Sequence, residues 1–270
     1  MSIKVSIDAS GGDFGFPVTI NAGINALKAY DDLLVNFVGD QTGIEKELKN
    51  NALSSKFLSR IEITHTSEVI NMDDSPSVAL RHKKDSSMRV AINLVKNGDA
   101  DACVSAGNTG ALMSIARFVL KTISGVDRPA IMSAVPTLTG PTHVLDLGAN
   151  IDSKPSTLLQ FAIMGSIAVQ NTENIGSPSV GLLNVGTEEL KGNEKSQETS
   201  ELLRKSTLNY IGFVEGDDIY KGNVDVIVCD GFEGNIALKA SEGVAKMFSF
   251  FIKKSFTKNI FTKLVAILAR

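Results

Sequence analysis

The chain has 270 residues, a formal net charge of −3, 43% hydrophobic and 21% charged residues. That composition belongs to a packed globular protein with room for a sizeable core; it excludes a disordered chain, and no overall basic field is present to recruit nucleic acid. Two cysteines, Cys103 and Cys229, and three scattered histidines, His65, His82 and His143, fit neither a disulfide framework nor a structural metal site. The expectation is a reduced, cytosolic protein with no metal and no cofactor.

The N-terminus, MSIKVSIDAS, reads as a strand rather than a signal peptide. No segment reaches the ~18 apolar residues of a membrane span. Short apolar runs bounded by Gly, Asp or Asn predict strands at Lys4–Ile7, Leu33–Val38, Arg60–Thr64, Ala102–Ser105, Ala130–Val135, His143–Asp146, Ser179–Asn184 and Val224–Cys229. Helical patterns lie between many of them, at Ser77–Lys96, Thr109–Lys121, Lys154–Val169, Glu194–Lys205 and Asn235–Lys254. Repeated strand–helix alternation predicts an α/β fold, a parallel sheet covered on both faces by helices. No linker or repeat interrupts it, so residues 1–270 are read as a single catalytic domain.

Ligands of open parallel sheets bind beyond the carboxyl ends of the strands. Five segments there combine glycine with small polar residues. They are Asp8–Asp13 (DASGGD), Ser105–Gly110 (SAGNTG), Asp146–Asn150 (DLGAN), Asn184–Glu188 (NVGTE) and Asp230–Asn235 (DGFEGN). Glycine lets a ligand approach the backbone, and Asn or Thr can cap a following helix whose N-terminus attracts anions. Ser105–Gly110, opening the helix at Thr109, is the best phosphate cradle. No dinucleotide or nucleoside-triphosphate fingerprint is present. Arg81, Lys83 and Lys84 cluster in the Met72–Met88 segment, where a helix would put Arg81 and Lys84 on one face. Lys191, followed by Gly192 and Asn193, falls on a loop and can offer a point charge to phosphate.

After Glu242 no acidic residue occurs, while Lys246, Lys253, Lys254, Lys258, Lys263 and Arg270 accompany dense Phe, Ile and Leu. In the last helix, Ile260, Phe261, Leu264, Val265 and Leu268 form one stripe. This segment, about 244–270, suits a membrane surface, an acidic protein partner or a dimer interface.

Taken in order, the five loops, the MDDSP…KKDSSM segment and Lys191–Asn193 resemble the bacterial phosphate acyltransferase (PlsX) family over almost the whole chain. The resemblance implies a three-layer αβα fold with a mostly parallel sheet, like phosphate acetyltransferases and isocitrate or isopropylmalate dehydrogenases. It implies transfer of a long-chain acyl group from acyl carrier protein to inorganic phosphate. The acyl phosphate would feed phospholipid synthesis through a membrane-bound glycerol-3-phosphate acyltransferase. It also implies a homodimer, peripheral membrane contact and further residues beyond Arg270 in the complete protein.

On that basis Lys191 is expected to neutralise phosphate or the developing oxyanion, and Asn235 to donate its amide there. Gly107, Asn108, Thr109 and Gly110 are expected to cradle phosphate. Asp8, Gly11, Gly12, Asn150, Gly186, Thr187, Glu188, Asp230 and Gly231 complete the expected substrate-binding set, with Asp8 and Asp230 ordering loops rather than acting as bases. Arg81, Lys83, Lys84, Lys253 and Lys254 are expected to meet the carrier protein. The competing readings are a short-chain acyltransferase using coenzyme A, a decarboxylating dehydrogenase and a non-catalytic membrane scaffold.

Overall fold

The computed structural model describes residues 2–51 and 54–268. The chain, read above as one domain, folds as two compact units, 1–129 and 130–270.

The first unit is built on β1 (Ile3–Asp8), β2 (Leu33–Gly39), β3 (Ile61–His65) and β4 (Ala102–Ser105). All are parallel, in the order β3-β2-β1-β4. Alternation of side chains along the strands supplies two apolar faces. On one face Ile7, Val35 and Phe37 pack against Ile20, Ile24 and Leu27 of α1 (Phe16–Ala29) and Ile44 and Leu48 of α2 (Gln41–Asn50). Gly23 permits this approach, since a Cβ there would lie 2.5 Å from the Phe37 ring. The other face is covered by α3 (Pro76–His82), α4 (Ser87–Asn97) and α5 (Thr109–Leu120), which bury Met88, Ile92, Ala111 and Ile115 together.

The second unit carries β5 (Met132–Pro136), β6 (Pro141–Leu145), β7 (Ser179–Leu183), β8 (Asn209–Val214) and β9 (Val226–Val228), in the order β5-β6-β9-β7-β8. The β5–β6 hairpin is antiparallel and the remaining pairs are parallel. Helix α6 (Pro155–Thr172) lays Leu158, Phe161, Ala162 and Val169 on one face, and α7 (Glu194–Arg204) adds Leu203. The start of α8 (Gly231–Phe256) covers the other face through Ala237 and Leu238. A short α9 (Ile260–Leu268) follows. Helix–sheet–helix layering in each unit agrees with the expected three-layer α/β class.

Several elements depart from the sequence reading. The helix predicted over Ser77–Lys96 is two helices. Ser86 breaks it, accepting from the Arg89 N–H at 3.4 Å as a new N-cap and donating its hydroxyl to Lys83 O at 2.7 Å. Helices α1 and α2 and strand β8 are additional. Among the described residues, no helix is long and apolar enough to cross a membrane.

Candidate functional site

In the second unit, three of the polar loops follow β6, β7 and β9. The loop after β6 is organised by Asp146, which is fully buried. Its Oδ1 accepts from Ile131 N (3.1 Å) and Ala149 N (3.0 Å), and its Oδ2 from Asn150 N (2.7 Å) and Asn150 Nδ2 (2.9 Å). A carboxylate with four donors fixes the loop. The Asn150 carbonyl in turn accepts from the N–H of Gly231 at 3.0 Å, tying this loop to the start of α8. Gly231 must lack a side chain, because its Cβ would meet Asn150 O at 2.3 Å and Asp146 Oδ2 at 2.9 Å.

Asp230 is the N-cap of α8 and is buried. It accepts from Phe232 N (3.0 Å), Ser153 N (2.6 Å) and Asp152 N (3.3 Å), and from the Lys195 ammonium at 3.2 Å. Burial alone pushes its pKa up. The Phe232 and Ser153 N–H groups and Lys195 outweigh that and hold the carboxyl below its ordinary value. Lys195 also reaches Asp152 at 3.1 Å; partial desolvation opposes its charge, but the two carboxylates leave its pKa raised.

The β7–α7 connection is a second ordered turn. Asn184 donates to Gly186 O at 3.1 Å, and Gly192, at φ +91°, leaves the space that Asn184 fills. Gln197 reaches back from α7 to the carbonyls of Glu189 (2.7 Å) and Lys191 (2.5 Å). Asn193 caps α7 through Ser196 N at 2.8 Å. Lys191 stands on this turn, exposed, with its Cγ beside the buried Gly186; its ammonium makes no ion pair among the described residues. Thr187 and Glu188 are exposed next to it. Leu183, Asn184, Gly192, Asn193, Ser196 and Glu233 line a cleft of about 510 Å³. Glu233 is raised above the ordinary carboxyl value, first by desolvation and then by the negative charge of Asp230. Asn235 lies one turn into α8, exposed, with its side chain against Gly148.

In the first unit, Asp8 ends β1, buried, and accepts the Ser105 hydroxyl at 2.6 Å. Ser105 Oγ receives the Gly107 N–H at 3.0 Å. Gly11 packs against this pair, since its Cβ would lie 2.5 Å from Asp8 Oδ2, and Gly12, at φ +87°, packs against Ala106. Asp8 Oδ1 is buried without a partner among the described residues. The side chain of Asn108, expected to hold phosphate, is instead spent on the fold. It caps Ala111 N (3.0 Å) and donates to Met72 O and Asp74 O (both 2.9 Å). Thr109 and Gly110 remain exposed at the first turn of α5.

The residues expected at the carrier protein divide between the two units. Lys83 is committed internally, to Asp74 and to Val69 O at 2.7 Å. Arg81 lies in the last turn of α3, which ends at His82, and Lys84 lies beyond it, so the single helical face that would have joined them does not form. Lys253 and Lys254 are exposed on α8.

The sequence reading missed Lys195, although a lysine in the first turn of a helix opposes the dipole and hints at a local acid. Glu233 gave no such hint, because an acid in the first turn is ordinary.

The family model described as fatty acid synthesis protein matches residues 3–270. A phosphate acyltransferase from Ruthia magnifica subsp. Calyptogena magnifica is 65% identical over 269 residues, covering 100% of this chain and 79% of that protein. One from Hydrogenovibrio crunogenus is 52% identical, covering 99% and 79%. Among solved structures, the EutD phosphotransacetylase from Staphylococcus aureus superposes with a TM-score of 0.62 at 20% identity, covering 91% of this chain and 83% of that one. A branched-chain phosphotransacylase from Enterococcus faecalis gives 0.59 at 17%, covering 90% and 84%. These structural likenesses establish the shared fold. The match across residues 3–270 and the extent of identity to the phosphate acyltransferases establish that the chain belongs to the fatty acid synthesis protein family.

Proposed function

We propose that this chain is a phosphate acyltransferase that moves a long-chain acyl group from the thioester of acyl carrier protein to inorganic phosphate. The observation that carries the reading is the β7–α7 turn. A lysine with no ion pair among the described residues stands on a backbone pinned by Gln197 and Asn184, beside a cleft of about 510 Å³. The names of the similar proteins support the reaction class.

Phosphate is already an anionic nucleophile and the carrier's thiolate a competent leaving group. A phosphate oxygen attacks the thioester carbonyl, the C–S bond breaks, and the proton lost by phosphate neutralises the thiolate. No protein nucleophile is needed. Burial pushes Cys103 up to about 11 and Cys229 up to about 12, so neither is a thiolate at neutral pH. The protein's task is positioning and charge stabilisation. Lys191 neutralises phosphate or the oxyanion, and Asn235 donates its amide. The Ser105–Gly110 loop supplies a second anion-binding element through the first turn of α5.

The apolar, basic stretch of α8 and α9 meets the bilayer and a second copy of the chain. Val244, Met247, Phe248, Phe250, Phe251 and Ile252 are all substantially exposed, which is more apolar surface than a soluble monomer ordinarily presents. In the stripe of the last helix, Phe261 and Val265 are exposed; the side chains of Ile260, Leu264 and Leu268, and Arg270, lie outside the described residues.

The test is phosphate-dependent hydroxamate formation with long-chain acyl carrier protein compared with acetyl-coenzyme A. Preference for the carrier-bound long chain supports the reading. Preference for acetyl-coenzyme A would make the protein a short-chain enzyme.

A further inference from the structure

Helix α5 ends in a cleft of about 520 Å³ lined by Leu80 of α3 and by Ser114, Arg117, Phe118, Lys121 and Thr122. Its lining mixes apolar Leu80 and Phe118 with cationic Arg117 and Lys121. Phe118 is 55% exposed. The Arg89 guanidinium lies 5.4 Å from the Phe118 ring centre and the Lys121 ammonium 5.2 Å from it. These cation–π contacts hold both charges beside the aromatic face. Arg117 adds a third charge. No acidic residue lines the cleft, and none of the three cations makes an ion pair among the described residues. The chain as a whole is acidic, so this concentration of unanswered positive charge is local.

Lys121 makes the point independently. It closes α5 at φ 69° and ψ 178°, a conformation that glycine alone takes readily. A lysine stands where glycine would relieve the backbone, and its ammonium is at the cleft.

We propose that this cleft docks the acyl donor's carrier through an acidic helical face that surrounds one apolar side chain. The inference rests on the reading above that the donor is protein-bound. Exposed cations set around an exposed aromatic ring fit carboxylates ringing an apolar group. Lipid contact is assigned above to the exposed apolar face of α8, which leaves this cleft to the carrier.

The test measures binding of fluorescently labelled acyl carrier protein by anisotropy at low ionic strength. Arg117→Glu with Lys121→Glu is expected to weaken Kd about 30-fold, and added salt to weaken the parent's binding in parallel. Lys121→Gly is the second variant: it relieves the backbone, so it is expected to raise Tm while still weakening carrier binding several-fold, about 3 to 10. Unchanged Kd in both variants, or no carrier binding by the parent, overturns the proposal. Parallel co-sedimentation with vesicles containing anionic phospholipid is expected to be unaffected. Loss of vesicle binding with carrier binding retained would assign the cleft to lipid and overturn it too. Phosphate-dependent turnover of acyl-pantetheine, a donor with no protein surface, separates the two claims. Turnover without carrier binding defeats the docking surface alone. Carrier binding that the variants abolish, without phosphate-dependent turnover, defeats the acyltransferase reading alone.

Discussion

Lys191 and Lys195 are four residues apart and occupy opposite environments. Lys191 is solvated and unpaired among the described residues; Lys195 is engaged by Asp230 and Asp152. A charge held ready for a ligand costs little stability, so Lys191→Ala is expected to lower kcat/KM by about 100-fold or more with an unchanged Tm. Near-parental kinetics would remove it from the site. Lys195→Met should instead act on the fold, costing about 1–3 kcal/mol because a buried carboxylate loses one of its donors. The pH dependence follows from the lowered Asp230. A depressed carboxyl contributes stability that is complete above its unfolded value of 3.8 and lost as pH falls through the lower folded value. Removing Lys195 moves the folded value back up, so the acid-unfolding midpoint of Lys195→Met, followed by circular dichroism, should shift to higher pH. An identical midpoint would show that the Phe232 and Ser153 N–H groups alone hold Asp230 down.

Helix starts decide much of the site, and their legibility varied with how they are capped. Asn108 was legible as a cap, but its second role was not. Its amide donates to Met72 O and Asp74 O, residues more than thirty positions earlier, and sequence spacing cannot show that. Asn108→Ala is therefore expected to cost about 1–3 kcal/mol and to speed hydrogen exchange across residues 71–76; protection equal to the parent's would deny the tether. Helix α1 escaped notice because Gly15 caps it without a side-chain bond, and α2 because it carries only two buried apolar residues, Ile44 and Leu48. Strand β8 was hidden by Gly212 at φ +108° and by a register shift opposite Val180 and Gly181. The apolar character of α8 was plain in the sequence, and the structure leaves that character exposed. Burying a Phe is worth ~1.5–3 kcal/mol, so Phe248→Asp with Phe251→Asp should cut co-sedimentation with anionic vesicles by about 100-fold. Unchanged co-sedimentation would assign this face to a protein contact.

Across the molecule, the five glycine-rich polar loops divide between the two units, after β1 and β4 in the first and after β6, β7 and β9 in the second. Every one follows the carboxyl end of a strand, as open parallel sheets place their ligand loops. That rule made the loops readable without a structure. Which of their polar atoms are consumed by the fold was not readable, because Asp8 Oδ2, Asn108, Asp146 and Asp230 are engaged by partners distant in sequence. The groups left over, chiefly Lys191 and the exposed Asn235, are the ones assigned to chemistry. The chain spans 79% of the length of the curated relatives compared above, and the family match runs from residue 3 to 270. The most direct test of the account is to supply radiolabelled inorganic phosphate with long-chain acyl carrier protein and follow the label. Label in a lipid-soluble product that hydroxylamine releases, formed at a rate that depends on phosphate concentration, is the predicted result. Free fatty acid formed at a phosphate-independent rate, with no label in the lipid fraction, would contradict it.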